Sequence, residues 1–166
     1  MQNYLQTFKN FIQPLGTDNV VIGGTLALKA HGLIMSREAT DLDLIIFKPT
    51  DKQLEYIKLM SAFQKEFIDD EALKNPFSDY HRKSYKFKKN ELIIDILLQD
   101  KFVPNDLLLF NFDGTYYKIQ SVKNTIDAKR SYMFDNKYDS RTGNSSYIRE
   151  KDVKDFNDLK NSNFNL

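Results

Sequence analysis

Three aspartates stand where apolar residues belong. Asp41 and Asp43 alternate with leucines in DLDLIIF (Asp41 to Phe47), and Asp95 interrupts ELIIDILL (Glu91 to Leu98). A charge within an apolar strand costs on the order of several kcal/mol unless it is paired or neutralised. Strand residues two apart share a face, so Asp41 and Asp43 lie side by side while Leu42 and Leu44 turn to the core. If the strand of Asp95 pairs beside theirs, three carboxylates converge. Like charges that close raise one another's pKa, and a divalent cation removes the conflict. Hard oxygen ligands with open positions suit Mg²⁺ or Mn²⁺. Each aspartate alone has a plainer reading: a strand start at Asp41, a solvent-facing edge at Asp43, a buried ion pair at Asp95. The three in this pattern favour the metal.

A second feature precedes them. The β-branched run Asn19 to Ile22 stops at Gly23-Gly24, followed by Thr25. Glycines at a strand-to-helix turn let the backbone approach a ligand with no side chain in the way. A helix N-terminus there favours phosphate, and Thr25 offers a hydroxyl. By itself a Gly-Gly pair is only a tight turn; beside a metal site it reads as a phosphate cradle.

The elements that must position these groups follow from spacing and punctuation. Tyr4, Leu5, Phe8, Phe11 and Ile12 predict a first helix, ended by Pro14 and Gly16. Thr25 is expected to cap a helix to about Ala30, closed by His31-Gly32. Leu33 to Thr40 reads as a loop carrying Arg37, then the Asp41 strand, then a helix from Lys52 to about Phe67. Asp69 to Tyr80 reads as an irregular connection. Ser84 to Lys88 is a strand turning at Lys89-Asn90 into the Glu91 strand, which is apolar enough to lie inside a sheet. Leu107 to Phe112 and Thr115 to Ile119 form a hairpin about Asp113-Gly114. Helices are expected from Ser121 to about Phe134 and from Tyr147 to about Leu159, with a polar loop from Asp135 to Ser146 between them and a fraying tail. The fold class is therefore α+β: a short mixed sheet with helices on one face, plus a small helical C-terminal part. Residues 1–120 are expected to be the core and 121–166 a helical extension packed on it as one compact unit.

Bulk composition excludes several classes. The 166 residues carry 24 basic and 23 acidic side chains, a net charge of +1, which is no basic footprint for general nucleic-acid binding. Lysines do cluster in HRKSYKFKK (His81 to Lys89), as a solvated surface or as a local patch for phosphate. With no cysteine, disulfides and thiolate metal sites are absent. Mean hydropathy is −0.53, and no apolar run approaches the ~20 residues of a spanning helix. The N-terminal MQNYLQTFKNFIQPLG lacks the order of a signal peptide, so a cytoplasmic protein is expected. The two histidines, His31 and His81, have no Ser or Cys partner pattern for a hydrolytic triad.

Together, Ile22-Gly23-Gly24-Thr25, Asp41-Leu42-Asp43-Leu44 and Ile94-Asp95-Ile96 resemble the signature of the nucleotidyltransferase superfamily, with its DNA polymerase β-like fold. SREATDLDL, TIDAKRSY (Thr125 to Tyr132) and REKDVKDFNDLKN (Arg149 to Asn161) resemble the AbiEii-type toxins and the small antibiotic nucleotidyltransferases. The resemblance spans roughly Val20 to Lys160. It implies transfer of a nucleoside monophosphate from an NTP such as ATP to an acceptor hydroxyl on RNA, protein or a small molecule. It implies Mg²⁺ or Mn²⁺ on Asp41, Asp43 and Asp95, with Asp95 also the candidate base. It gives the triphosphate to Gly23, Gly24, Thr25, Arg37 and Lys129, and an antitoxin-like partner protein to the toxin branch. For Arg37 the alternative is a surface loop residue; for Lys129, a solvated helix lysine. Asp155 and Lys154 of KDxxDL rank lower, since that motif also serves to cap and pack a helix. The alternative function is a non-catalytic nucleotide-binding or protein-interaction module on the same fold.

Overall fold

The computed structural model describes residues 6, 9–39, 41–63, 68–69, 83–89, 92–134 and 150–162. Tyr4, Leu5 and Phe8 of the expected first helix lie outside these residues, as do Thr40, the helix extension 64–67, most of the irregular connection, Asn90, the polar loop 135–146, the helix start 147–149 and the tail 163–166. Among the described residues, seven strands form one sheet: β1 (Val20–Ile22), β2 (Asp41–Phe47), β3 (Ile68–Asp69), β4 (Lys83–Lys89), β5 (Leu92–Gln99), β6 (Leu108–Phe112) and β7 (Thr115–Ile119). Their order is β3-β4-β5-β2-β1-β7-β6. The sheet is mixed: β2 runs antiparallel to β1 and parallel to β5, and β1 runs parallel to β7. The helices are α1 (Gly24–Ala30), α2 (Asp51–Phe63), α3 (Val122–Phe134) and α4 (Glu150–Asn161).

Strand alternation divides the sheet into two unlike faces. Leu42, Leu44 and Ile46 of β2, Ile94, Ile96 and Leu98 of β5, and Phe87 of β4 enter the main core. There they meet Phe11 and Ile12 of the N-terminal helical residues, Leu26 and Ala27 of α1, and Ile57 of α2. The other face holds a smaller cluster, Val21, Ile45 and Phe47, with Leu97, Val103 and Leu107 packed against it. The same alternation places Asp41, Asp43 and Asp95 on that second face. A third cluster of Leu28, Met35, Ile126 and Leu159 joins α1, the following loop, α3 and α4.

Local chemistry sets the connections. Asp113 (φ 50°) and Gly114 (φ 77°) make the two-residue hairpin turn that the Asp-Gly pair predicts. α1 ends in a Schellman arrangement: Gly32, at φ +81°, donates to Lys29 O at 2.9 Å, and Leu33 donates to Leu28 O at 3.2 Å. His31 Nε2 lies 2.9 Å from Gln120 O, so this histidine ties the helix end to β7. The α1 start differs from expectation. Its N-cap is Gly23, with no side-chain cap, and Thr25 lies buried within the first turn. The hydroxyl of Thr25 has a long-range partner, and one oxygen does not serve both tasks. The start of α2 is held by its own buried Gln53, whose Nε2 donates to Leu15 O and Asn19 Oδ1, each at 2.7 Å.

Candidate functional site

β2 and β5 run in parallel register, Asp41 to Ile93, Asp43 to Asp95 and Ile45 to Leu97. Register partners on adjacent strands share a face, so Asp43 and Asp95 stand directly beside one another. Asp41 lies two residues before Asp43 on the same face. The antiparallel register of β1 on β2 pairs Ile22 with Leu44. One residue further, Gly23 reaches Asp43 and donates its N–H to Asp43 O at 2.9 Å. Gly24 follows at φ +65°, and a Cβ added to it would fall 1.8 Å from Asp43 Oδ2. Only glycine fits there, for backbone conformation and for space alike. The Gly-Gly pair and the carboxylates are thus one structure.

The three expected ligands are not equally disposed. Asp41 Oδ2 accepts from Lys151 Nζ of α4 at 2.5 Å, the lysine side chain 36% and the aspartate side chain 16% exposed. Among the described residues, no three His, Cys, Asp or Glu side chains are gathered closely enough to hold a metal ion. What the fold supplies is donor chemistry: two carboxylates in register, a third along the strand, and a bare Cα that makes room for the Asp43 carboxylate. Carboxylate oxygens are the donor type a hard divalent cation takes.

Thr25, Arg37 and Lys129 meet at a second centre built on Asp155. Arg37 Nε donates to Asp155 Oδ1 at 2.7 Å and its Nη2 donates to Oδ2 at 2.6 Å. Lys129 Nζ donates to the same Oδ2 at 2.6 Å, and Thr25 Oγ1 donates to it at 2.9 Å. Arg37 Nη2 also donates to Thr25 Oγ1 at 2.6 Å. Asp155 is fully buried, while Thr25 is 5% and Lys129 7% exposed. Lys129 is therefore no solvated helix lysine, and Arg37 no free surface residue. Burial pushes the Asp155 carboxyl up, but the Arg37 hydrogen bond and the Lys129 charge outweigh it and hold its pKa below the usual range. Arg37 and Lys129 thus converge on one buried carboxylate beside the Gly-Gly turn.

Sequence reasoning ranked Asp155 low and overlooked Lys151. A signal for Asp155 existed: it lies four residues before buried Leu159, on the inward stripe of α4. Lys151 lies four residues before Asp155, on that same stripe. Lys154 is exposed. Asp158 also anchors the helix, accepting from Ser36 N at 2.9 Å and Ser36 Oγ at 2.8 Å.

These elements define an α+β protein of the nucleotidyltransferase-like fold. Two solved structures share it. One is a Helicobacter pylori protein provisionally assigned as a nucleotidyltransferase (TM-score 0.53, 18% identity, covering 98% of this chain and 68% of that one). The other is JHP933 from the same organism (TM-score 0.51, 21% identity, 98% and 66%). The chain thus spans about two thirds of each, and identity this low carries the fold alone. No family model matches the chain, and no curated protein matches it. No helix among the described residues is long and apolar enough to cross a membrane.

Proposed function

We propose that the chain is a metal-dependent nucleotidyltransferase that moves a nucleoside monophosphate from an NTP to an acceptor hydroxyl. The observation that carries this reading is the pairing of Asp43 with Asp95 in register, under a glycine whose Cβ would strike Asp43. Asp41, Asp43 and Asp95 would hold Mg²⁺ or Mn²⁺. The cation, when bound, supplies charge neutralisation of the triphosphate and a more acidic acceptor hydroxyl. Asp95 accepts the hydroxyl proton as the acceptor oxygen bonds to the α-phosphorus and the bond to the departing pyrophosphate breaks. Gly23 and Gly24 would meet the triphosphate with backbone alone, and Gly24 also makes room for the Asp43 carboxylate. Arg37 and Lys129, fixed by Asp155, set a positive field toward the phosphates. The acceptor is RNA, protein or a small molecule such as an antibiotic. We rank a toxin-like cytoplasmic enzyme with an antitoxin partner above an antibiotic modifier, and the net charge of +1 weighs against a large RNA.

A second reading has its own support. Arg37 and Lys129 are both committed to Asp155, and Asp41 to Lys151. Such internal pairing suits a non-catalytic nucleotide-binding or protein-interaction module. A transfer assay separates the two. The protein is incubated with each α-labelled NTP and Mg²⁺ or Mn²⁺, against total RNA, a protein lysate and a panel of aminoglycosides and lincosamides. Label entering one pool, and lost in Asp43→Ala, establishes the enzyme and its acceptor class. NTP binding in calorimetry without transfer establishes the module.

A further inference from the structure

Lys151 stands on the first turn of α4, and the rest of that helix leaves it little freedom to move away. Asp155, one turn on, is clamped by Arg37, Lys129 and Thr25; Asp158 holds Ser36; Leu159 is buried. Residues four apart share a helix face, so this anchoring aims Lys151 at the carboxylate strand. Its ammonium meets Asp41 Oδ2 at 2.5 Å, in a pair still partly open to solvent. Asp41 is one of three carboxylates on one sheet face, yet the described side chains gather no three-ligand set.

We propose that Lys151 is a built-in cation that occupies the Asp41 end of the carboxylate row and exchanges with the divalent ion. This rests on the metal-site reading above and adds a residue to it. An ammonium is a single charge on a flexible stem, whereas a divalent ion is compact and doubly charged. The ammonium therefore satisfies Asp41 in the metal-free protein and yields to the ion. Once displaced, it remains beside the site on an anchored helix, where the triphosphate offers new anionic oxygens. Cation and nucleotide binding are then coupled through Lys151.

The test is Mn²⁺ binding by calorimetry and by its electron paramagnetic resonance signal, on the full chain, with and without a non-hydrolysable ATP analogue. Lys151→Gln removes the competitor, so Mn²⁺ alone should bind tighter, by up to about fivefold, the range for breaking a partly exposed pair. The analogue should then enhance Mn²⁺ affinity less than it does in wild type. Lys151→Arg keeps the charge and should stay near wild type, and matching melting curves show that the variants fold. Unchanged or weaker Mn²⁺ binding in Lys151→Gln overturns the exchange while leaving the metal site standing. No Mn²⁺ binding in wild type or either variant overturns the exchange and the metal-site reading together.

Discussion

Arg37 and Asp155, 118 residues apart, are joined at both carboxylate oxygens, Nε to Oδ1 at 2.7 Å and Nη2 to Oδ2 at 2.6 Å. This two-point clamp fixes the loop before β2 to α4. Lys129 brings α3 to the same carboxylate, and Thr25 brings α1. One buried side chain thus holds three helices and a loop around the carboxylate row.

Removing one member of a buried ion cluster strands the others. Asp155→Ala should cost about 3–5 kcal/mol, because two cations lose their counter-charge. Asp155→Asn keeps the shape and should recover only part of that. Urea unfolding of the three proteins measures both losses, and a cost within about 0.5 kcal/mol for Asp155→Ala would deny the cluster its structural role.

The same cluster sets a pH dependence. Asp155 is depressed below its ordinary value of 3.8, so in that range the folded protein binds fewer protons than the unfolded chain. The stability this contributes is fully present above pH 3.8 and is lost as pH falls through the folded pKa. Acid unfolding of Asp155→Asn should accordingly show a shallower fall in stability below that pH than wild type. Equal slopes would mean that other carboxylates carry the acid transition.

The two glycines should respond unequally to alanine. At Gly24 a Cβ would lie 1.8 Å from Asp43 Oδ2 on a backbone at φ +65°, so Asp43 must move and the turn must strain by about 1–2 kcal/mol. At Gly23 the nearest atom is Gln120 Oε1, the end of a flexible side chain, at 3.0 Å. Gly24→Ala should abolish NTP binding in calorimetry and lower the melting temperature; Gly23→Ala should keep most of both. Equal behaviour of the two would remove Gly24's contact with Asp43 as the basis of the site.

Several features are readable from the chain because they depend on near neighbours. Alternation in DLDLIIF puts Asp41 and Asp43 on one face, Asp113-Gly114 dictates its hairpin, and His31-Gly32 ends α1. Hydrophobic periodicity and turn chemistry act over a few residues, so composition and spacing suffice to expose them. Which residues meet across the fold is another matter. The register that sets Asp43 beside Asp95 comes from pairing strands far apart in sequence. Thr25, a plausible cap by its neighbours, spends its hydroxyl on Asp155, 130 residues away. Asp155 and Lys151 are two charges among many on a polar helix until docking of α4 buries one and brings the other to Asp41, 110 residues away. Burial and long-range pairing are properties of the packed elements, so only the tertiary structure distinguishes these two residues from the lysines and aspartates around them.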